Sequence, residues 1–249
     1  MTWSYSRVKS FTDCPYRWYL RYILNKEPEA LFFSSYGSFV HKLLDGYYSK
    51  EISGSGLLPL YLTGFRKSVK LPAPTAQVFN RYFQDGVRYF TSFEPLPFLV
   101  SETEKRIDTS IDGISFTGWI DFLGEDSDGD VIIDHKSRVL KPRSTRKKPT
   151  KSDEELDEYF RQLYLYGAAL KEICGKSPDR IGFNCFRNED PVIMEPYNPK
   201  KEDEARRWLS ETIETIGREK EFRPRMEYFK CNHLCDMKNY CEFFSMTWR

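Results

Sequence analysis

No stretch of this 249-residue chain is apolar for long enough to span a membrane, and the opening MTWSYSRVKS lacks the apolar core of a secretion signal. A reducing, cytoplasmic compartment is therefore expected. In it the six cysteines are not expected to form disulfides. Net charge is also missing. Thirty-eight Lys and Arg against 37 Asp and Glu leave +1, so any attraction for nucleic acid must come from local clustering. No internal repeat is visible. What remains, 40% apolar and 16% aromatic residues with a mean hydropathy of −0.61, describes a soluble globular chain able to bury a real core.

Within that frame, residues 118–137 read GWIDFLGEDSDGDVIIDHKS. Two short runs rich in β-branched and aromatic residues flank the turn chemistry of GEDSDG, which predicts a β-hairpin. Side chains alternate along a strand, so Ile132, Asp134 and Lys136 share one face, and Trp119, Asp121 and Leu123 share a face of the partner strand. The hairpin can thus gather Asp121, Asp134 and Lys136 on one side of a sheet. Carboxylate oxygens suit Mg²⁺ or Mn²⁺. An adjacent lysine can orient water or stabilise charge developing on a phosphate. A single terminal Asp would be only a solvated strand end; the D-x12-D-x-K pattern favours a site.

Around the hairpin, residues 4–24, 36–49 and 75–93 are expected to be helical. Residues 52–74, dense in Gly, Ser and Pro, are expected to be loops around a short helix. Strands are expected at 98–107, 114–123, 130–136, 180–187 and 191–195. A long helix should start at Ser152, with Ser152 and Glu155 as a capping box, and run to about residue 173. Another is expected at about 201–219. Between strand and long helix lies the basic stretch RVLKPRSTRKKPTK, with Arg138, Lys141, Arg143, Arg146, Lys147, Lys148 and Lys151.

Two further patterns stand out. Gln162 and Tyr166 lie four apart on one face of the long helix, which by itself reads as a core stripe of Tyr159, Tyr166 and Ala169 with Gln162 at its edge. Cys231, Cys235 and Cys241 are spaced x3 then x5, and three thiols so close in a reduced compartment suggest a metal. A fourth ligand could be His233, giving zinc, or a distant cysteine such as Cys14. Cys174 and Cys185 read as small core hydrophobes.

Taken in order, these residues resemble the RecB-like branch of the PD-(D/E)XK nucleases, in particular iron–sulfur members such as the AddB nuclease domain, CRISPR-associated RecB-like exonucleases and phage homologues. SYSRVKSFTDCPYRWYLRY resembles that family's S-x-S-x4-F-x2-C-P-x6-Y entry, YGSFVHKLL its G-x3-H-x2-L helix, GWID and IIDHK its acidic motifs, and QLYLY its Q-x3-Y. Many members space the first two tail cysteines by x2 rather than x3, and usually carry Tyr where His135 stands.

The resemblance implies an α/β fold: a mixed sheet flanked by helices after a helical N-terminal region, with a cluster joining the chain ends. It implies one nuclease domain over 1–249, with a helical region to residue 95, a catalytic core over 96–200 and a cysteine-rich end from 201. His41, Asp121, Asp134 and the His135 carbonyl would hold Mg²⁺ or Mn²⁺, with Glu102 or Glu104 as the family's upstream acid. Lys136, Gln162 and Tyr166 would complete catalysis, and Cys14, Cys231, Cys235 and Cys241 would hold a 4Fe-4S cluster. The basic stretch would track single-stranded DNA. The implied protein is a DNA exonuclease of a bacterial or phage-infected cell, acting on single strands or ends in recombination, repair, phage replication or CRISPR adaptation, alongside recombination or replication proteins. The alternatives are a non-catalytic nucleic-acid-binding or assembly protein of the same fold, and a zinc-stabilised endonuclease.

Overall fold

A computed structural model describes residues 1–70 and 72–247. A five-stranded mixed sheet, ordered β1 (Leu99–Ile111), β2 (Ile114–Asp126), β3 (Gly129–Lys136), β4 (Arg180–Cys185) and β5 (Val192–Pro196), forms its centre. All neighbours are antiparallel except β3 and β4, which are parallel and joined through the long helix α6 (Lys151–Cys174). The sheet is α/β and mixed, with helices on both faces, as the resemblance implied.

β3 is the central strand, and both faces of its VIIDH run are buried. Ile132 packs with α6, α1 (Tyr5–Asp13), α2 (Pro15–Tyr22) and α7 (Pro199–Arg218). Val131 and Ile133 pack with α3 (Phe32–Tyr48), α4 (Gly54–Ser68) and α5 (Ala76–Thr91). The continuous apolar run is what a strand covered on both sides requires.

Three expectations need correction. Residues 4–24 are two helices, because Cys14 is extended (φ −160°, ψ 105°); a residue before proline disfavours the helical region. Residues 52–74 contain a 15-residue helix, α4, with Pro59 inside it. An internal proline costs about 3 kcal/mol, but Leu57, Tyr61 and Phe65 are fully buried, at roughly 1.5–3 kcal/mol each, so packing outweighs it. Gly86 on α5 makes room: a Cβ there would stand 2.2 Å from the Tyr61 ring. Finally, α6 begins two residues early. Its N-cap is Thr150, and Asp153 replies from the third helical position. Asp153 also accepts hydrogen bonds from the Ser144 amide and hydroxyl, both at 2.7 Å, so one carboxylate starts the helix and ties down the basic loop.

One irregularity prepares the site. β2 pairs with β3 only over Phe122–Asp126. Its other half pairs instead with the chain's beginning: the Trp3 amide donates to the Ser115 carbonyl and the Thr117 amide to the Trp3 carbonyl, both at 2.8 Å. The two central strands therefore fork, and the fork opens at Asp121.

Candidate active site

At the fork the Asp121 side chain takes over from the ladder: its Oδ2 accepts the His135 backbone N–H at 2.7 Å. Next to it on β3, Asp134 is almost fully buried and lies 2.7 Å from the Lys136 ammonium. Gln162 on α6 completes a small network. Its Nε2 donates to Asp134 Oδ1 (2.9 Å) and to the Tyr166 hydroxyl (3.0 Å), and its Oε1 accepts from Lys136 (3.1 Å). Thus Gln162 touches both members of the acid–lysine pair, and Tyr166, four residues on, joins them through Gln162. Tyr166 gets there because Gly118 has no side chain: a Cβ would stand 2.7 Å from the tyrosine ring.

His41 arrives from the other face of the sheet on α3, whose Gly37 lies against Ser137 just beyond β3. Its Nε2 is 2.8 Å from the His135 carbonyl and its Nδ1 3.5 Å from Asp121 Oδ2. Burial lowers its pKa although 28% of the side chain still meets solvent in the cleft. A neutral imidazole carries one N–H, so it cannot donate to both of these oxygens.

Of the two upstream acids, Glu102 is bound by Lys105, both oxygens at 2.7 Å, whereas Glu104 turns into the site. Atoms of Glu104, His41 and Asp121 lie within 4.8 Å of one another. Glu104 stands in a left-handed conformation (φ 45°) within β1, which for a non-glycine residue costs about 1–3 kcal/mol and is typical of functional sites.

Electrostatically the cleft is overloaded with acid. Burial, then the nearby Asp134, holds Asp121 well above the usual carboxylate range. Glu104 is raised by burial and by Asp45 and Asp134. Burial works to lower Lys136, but Asp134 beside it outweighs this and keeps the ammonium charged. Three carboxylates face one ammonium, and with His41 they form an oxygen-rich N/O donor set that fits Mg²⁺ or Mn²⁺. The whole opens into a cleft of about 560 Å³, which Ser4, Ser6, Thr117 and Trp119 also line.

The His135 side chain points away from this cleft. It stacks on Tyr48 (centroids 6.1 Å apart, 10°), and its Nδ1 accepts from Asn184 at 3.1 Å. Burial keeps it neutral, so only its backbone serves the site. The basic stretch divides. Arg138 pairs with Glu155, and Arg143 is clamped between Asp157 and Glu195, each contact at 2.6 Å. Lys141, Arg146, Lys147, Lys148 and Lys151 are exposed and, among the described residues, have no ion-pair partner. Of the N-terminal aromatics, Phe11 and Trp18 are core and Tyr22 packs against it, while the half-buried Tyr19 stacks on Phe222, as Trp18 does.

A second constellation lies where the chain ends meet. Cys14, in the break between α1 and α2, lines one small apolar pocket with Cys231, Cys235 and Cys241. Arg17 and Arg21 of α2 hold the tail there through Asp236 (2.6 and 3.2 Å). His233 lines a different cleft and lies against Phe229. Cys185 is a core residue as expected, but Cys174 is exposed.

Sequence reasoning missed Trp119 as a cleft residue and could not choose Glu104 over Glu102. The choice depends on a strand register, with its bulge between Val100 and Glu102, that no local pattern announces.

A forked mixed sheet presenting an Asp, an Asp-x-Lys and a helical Gln-x3-Tyr around one acidic cleft defines the nuclease class of α/β proteins. Residues 2–242 match the PD-(D/E)XK nuclease superfamily, and the chain belongs to it. The crystal structure of a putative exonuclease from Eubacterium rectale is similar in fold, at TM-score 0.56 and 14% identity, covering 99% of this chain and 93% of that one. The structure of SSO0001 aligns at TM-score 0.34 and 15% identity over 97% of this chain and 86% of that one. Among curated proteins none matches the sequence. Among the described residues no helix is long and apolar enough to cross a membrane.

Proposed function

We propose that the protein is a divalent-metal-dependent deoxyribonuclease that hydrolyses DNA from single-stranded or free ends. The observation that carries this is the Asp121–Asp134–Lys136–Gln162 network opening at the fork beside His41. His41, Glu104, Asp121 and Asp134, with the His135 carbonyl, would hold Mg²⁺ or Mn²⁺. When bound, such an ion supplies acidification of a water and neutralisation of phosphate oxygens. The chain's own groups do the rest. Lys136, held charged by Asp134, stabilises charge arising on the phosphate. Gln162 fixes both partners of that pair and aims Tyr166 at the strand path. Arg146, Lys147 and Lys148 attract the backbone.

In the same reading Cys14, Cys231, Cys235 and Cys241 hold a 4Fe-4S cluster. One observation supports this over a zinc site with His233 as its fourth ligand: His233 faces another cleft, while the four cysteines share one pocket.

The test is digestion of 5′- and 3′-labelled single- and double-stranded DNA by anaerobically purified protein, with Mg²⁺, Mn²⁺ or EDTA. Stepwise shortening that needs the metal is expected. Binding without cleavage under every condition would leave a non-catalytic nucleic-acid-binding protein.

A further inference from the structure

Trp119 sits oddly for a large apolar residue. It is 52% exposed, and it is exposed in the wall of a cleft otherwise lined by polar and charged side chains. The other described tryptophans are engaged. Trp3 and Trp18 stack on each other at 6.4 Å, Trp18 also stacks on Phe222, and Trp208 lies under the Arg161 guanidinium at 4.8 Å. Among the described residues no ring or cation stacks on Trp119.

Its position along β2 is informative. Trp119 precedes Asp121 by two residues, about 6.6 Å along a strand, which is the scale of a single nucleotide. Here β2 has left β3, so on that side the indole borders open cleft, while its backbone stays paired with Arg106 of β1. A ligand that brings a phosphate to the acids at the fork and a flat apolar face to the indole is a nucleotide strand. The bases of a duplex are covered by their neighbours, so only an unstacked base can meet the ring.

From this placement we infer that Trp119 is the base platform of the cleft: it stacks the nucleobase next to the scissile phosphate and thereby selects single-stranded DNA. The inference rests on the nuclease reading of the site. Stacking needs only a π face, so the preference is for strandedness and not for sequence. Trp119 acts as a positioning residue; it holds the strand so that the phosphate lies against Lys136 and the acids.

The test combines a residue change with a base deletion. Affinity is measured by fluorescence anisotropy of labelled single-stranded oligonucleotides in EDTA, and KM and kcat in Mn²⁺. The substrates are intact oligonucleotides and a series carrying one abasic position moved along the strand. Trp119→Ala should weaken binding and raise KM by roughly 5- to 150-fold, the range for loss of one base–aromatic stack, with kcat changing less. Trp119→Phe should recover most of the loss. At one position of the series the wild type should lose affinity by a similar factor, while Trp119→Ala should be indifferent to the same deletion. A merely structural role would not produce that coupling. If the wild type cleaves DNA and either Trp119→Ala matches it or the two respond equally at every abasic position, the platform is refuted and the nuclease reading stands. If the wild type neither binds nor cleaves DNA, both fall.

Discussion

Gly118 and Tyr166 face each other so closely that a methyl group on the glycine would stand 2.7 Å from the tyrosine ring. Two separated motifs are thereby one device: the residue three before Asp121 clears the space in which Tyr166, and through it Gln162, reaches Asp134. Gly118→Ala should push the ring out and loosen Gln162. A fall in kcat of at least tenfold, with DNA affinity nearly kept, is expected in single-turnover assays, since small misplacements of positioning groups are costly. Unchanged kcat would mean that Tyr166 does not order the network.

Asp134→Asn and Lys136→Met keep the shapes of a buried ion pair while removing one charge each. Both should reduce cleavage by 10²-fold or more, the scale for losing one transition-state donor, and leave DNA binding in EDTA almost intact. Lys136→Met leaves Asp134 buried without its cation, so it should also lower the Tm of metal-free protein. Robust cleavage by a clean Asp134→Asn preparation would remove the assignment.

Asp153 offers a pH test away from the metal donors. Hydrogen bonds from the amides and hydroxyls of Ser144 and Thr150 hold its carboxyl well below the usual carboxylate range. A depressed folded pKa means that its stabilising effect is complete above the unfolded value of about 3.9 and fades as pH falls through the folded one. Asp153→Asn should therefore have the lower Tm at pH 7, and the gap should narrow below about pH 4. A gap independent of pH would show that the cap works without its charge.

The hairpin and its acids were legible because they are local: alternation places Asp134 and Lys136 together. A helical turn likewise places Gln162 above Tyr166, but by itself that reads as a core stripe, and only the resemblance gave the pair a role. Cys14 was legible only through order along the chain, since 217 residues (231 − 14) separate it from its nearest tail partner. α4 was legible only as a short helix among loops because its three buried aromatic and aliphatic anchors are interleaved with breakers whose cost only tertiary packing repays. That Glu104 could not be told from Glu102, and that Trp119 was not recognised as a cleft residue, has a shared reason. Their roles come from where β1 bulges and where β2 parts from β3, and Trp3, far away in sequence, makes that parting possible.

The basic loop should split in function as it does in structure. Neutralising Arg146, Lys147 and Lys148 together should flatten the log–log salt dependence of single-strand binding by up to about 2, at roughly 0.7 per phosphate contact. Arg143→Ala should instead lower Tm with little change in slope, because its guanidinium is taken up by Asp157 and Glu195. An unchanged slope in the triple variant would make this stretch a solvated loop.

The cysteines bear on whether the fold survives at all. A cluster through Cys14 and the three tail cysteines closes the 217-residue loop (231 − 14), which by the chain-entropy relation for a cross-link is worth roughly 5 kcal/mol. A domain has only about 5–15 kcal/mol in total. Anaerobic wild-type protein should be brown, with iron and acid-labile sulfide in similar amounts. Cys14→Ser and Cys235→Ser should be colourless and poorly soluble. Cys174→Ser should keep its iron, since the exposed Cys174 thiol only reaches back to the Leu170 carbonyl at 3.0 Å. Cys185→Ser should keep iron at some loss of stability, because its buried thiol sits in the core. His233→Ala should be as brown as wild type. Stoichiometric zinc without iron, lost in His233→Ala and kept in a folded Cys14→Ser protein, would make the tail a local zinc knuckle and leave the chain ends joined by side-chain contacts such as Arg17 and Arg21 with Asp236 and Trp18 and Tyr19 with Phe222.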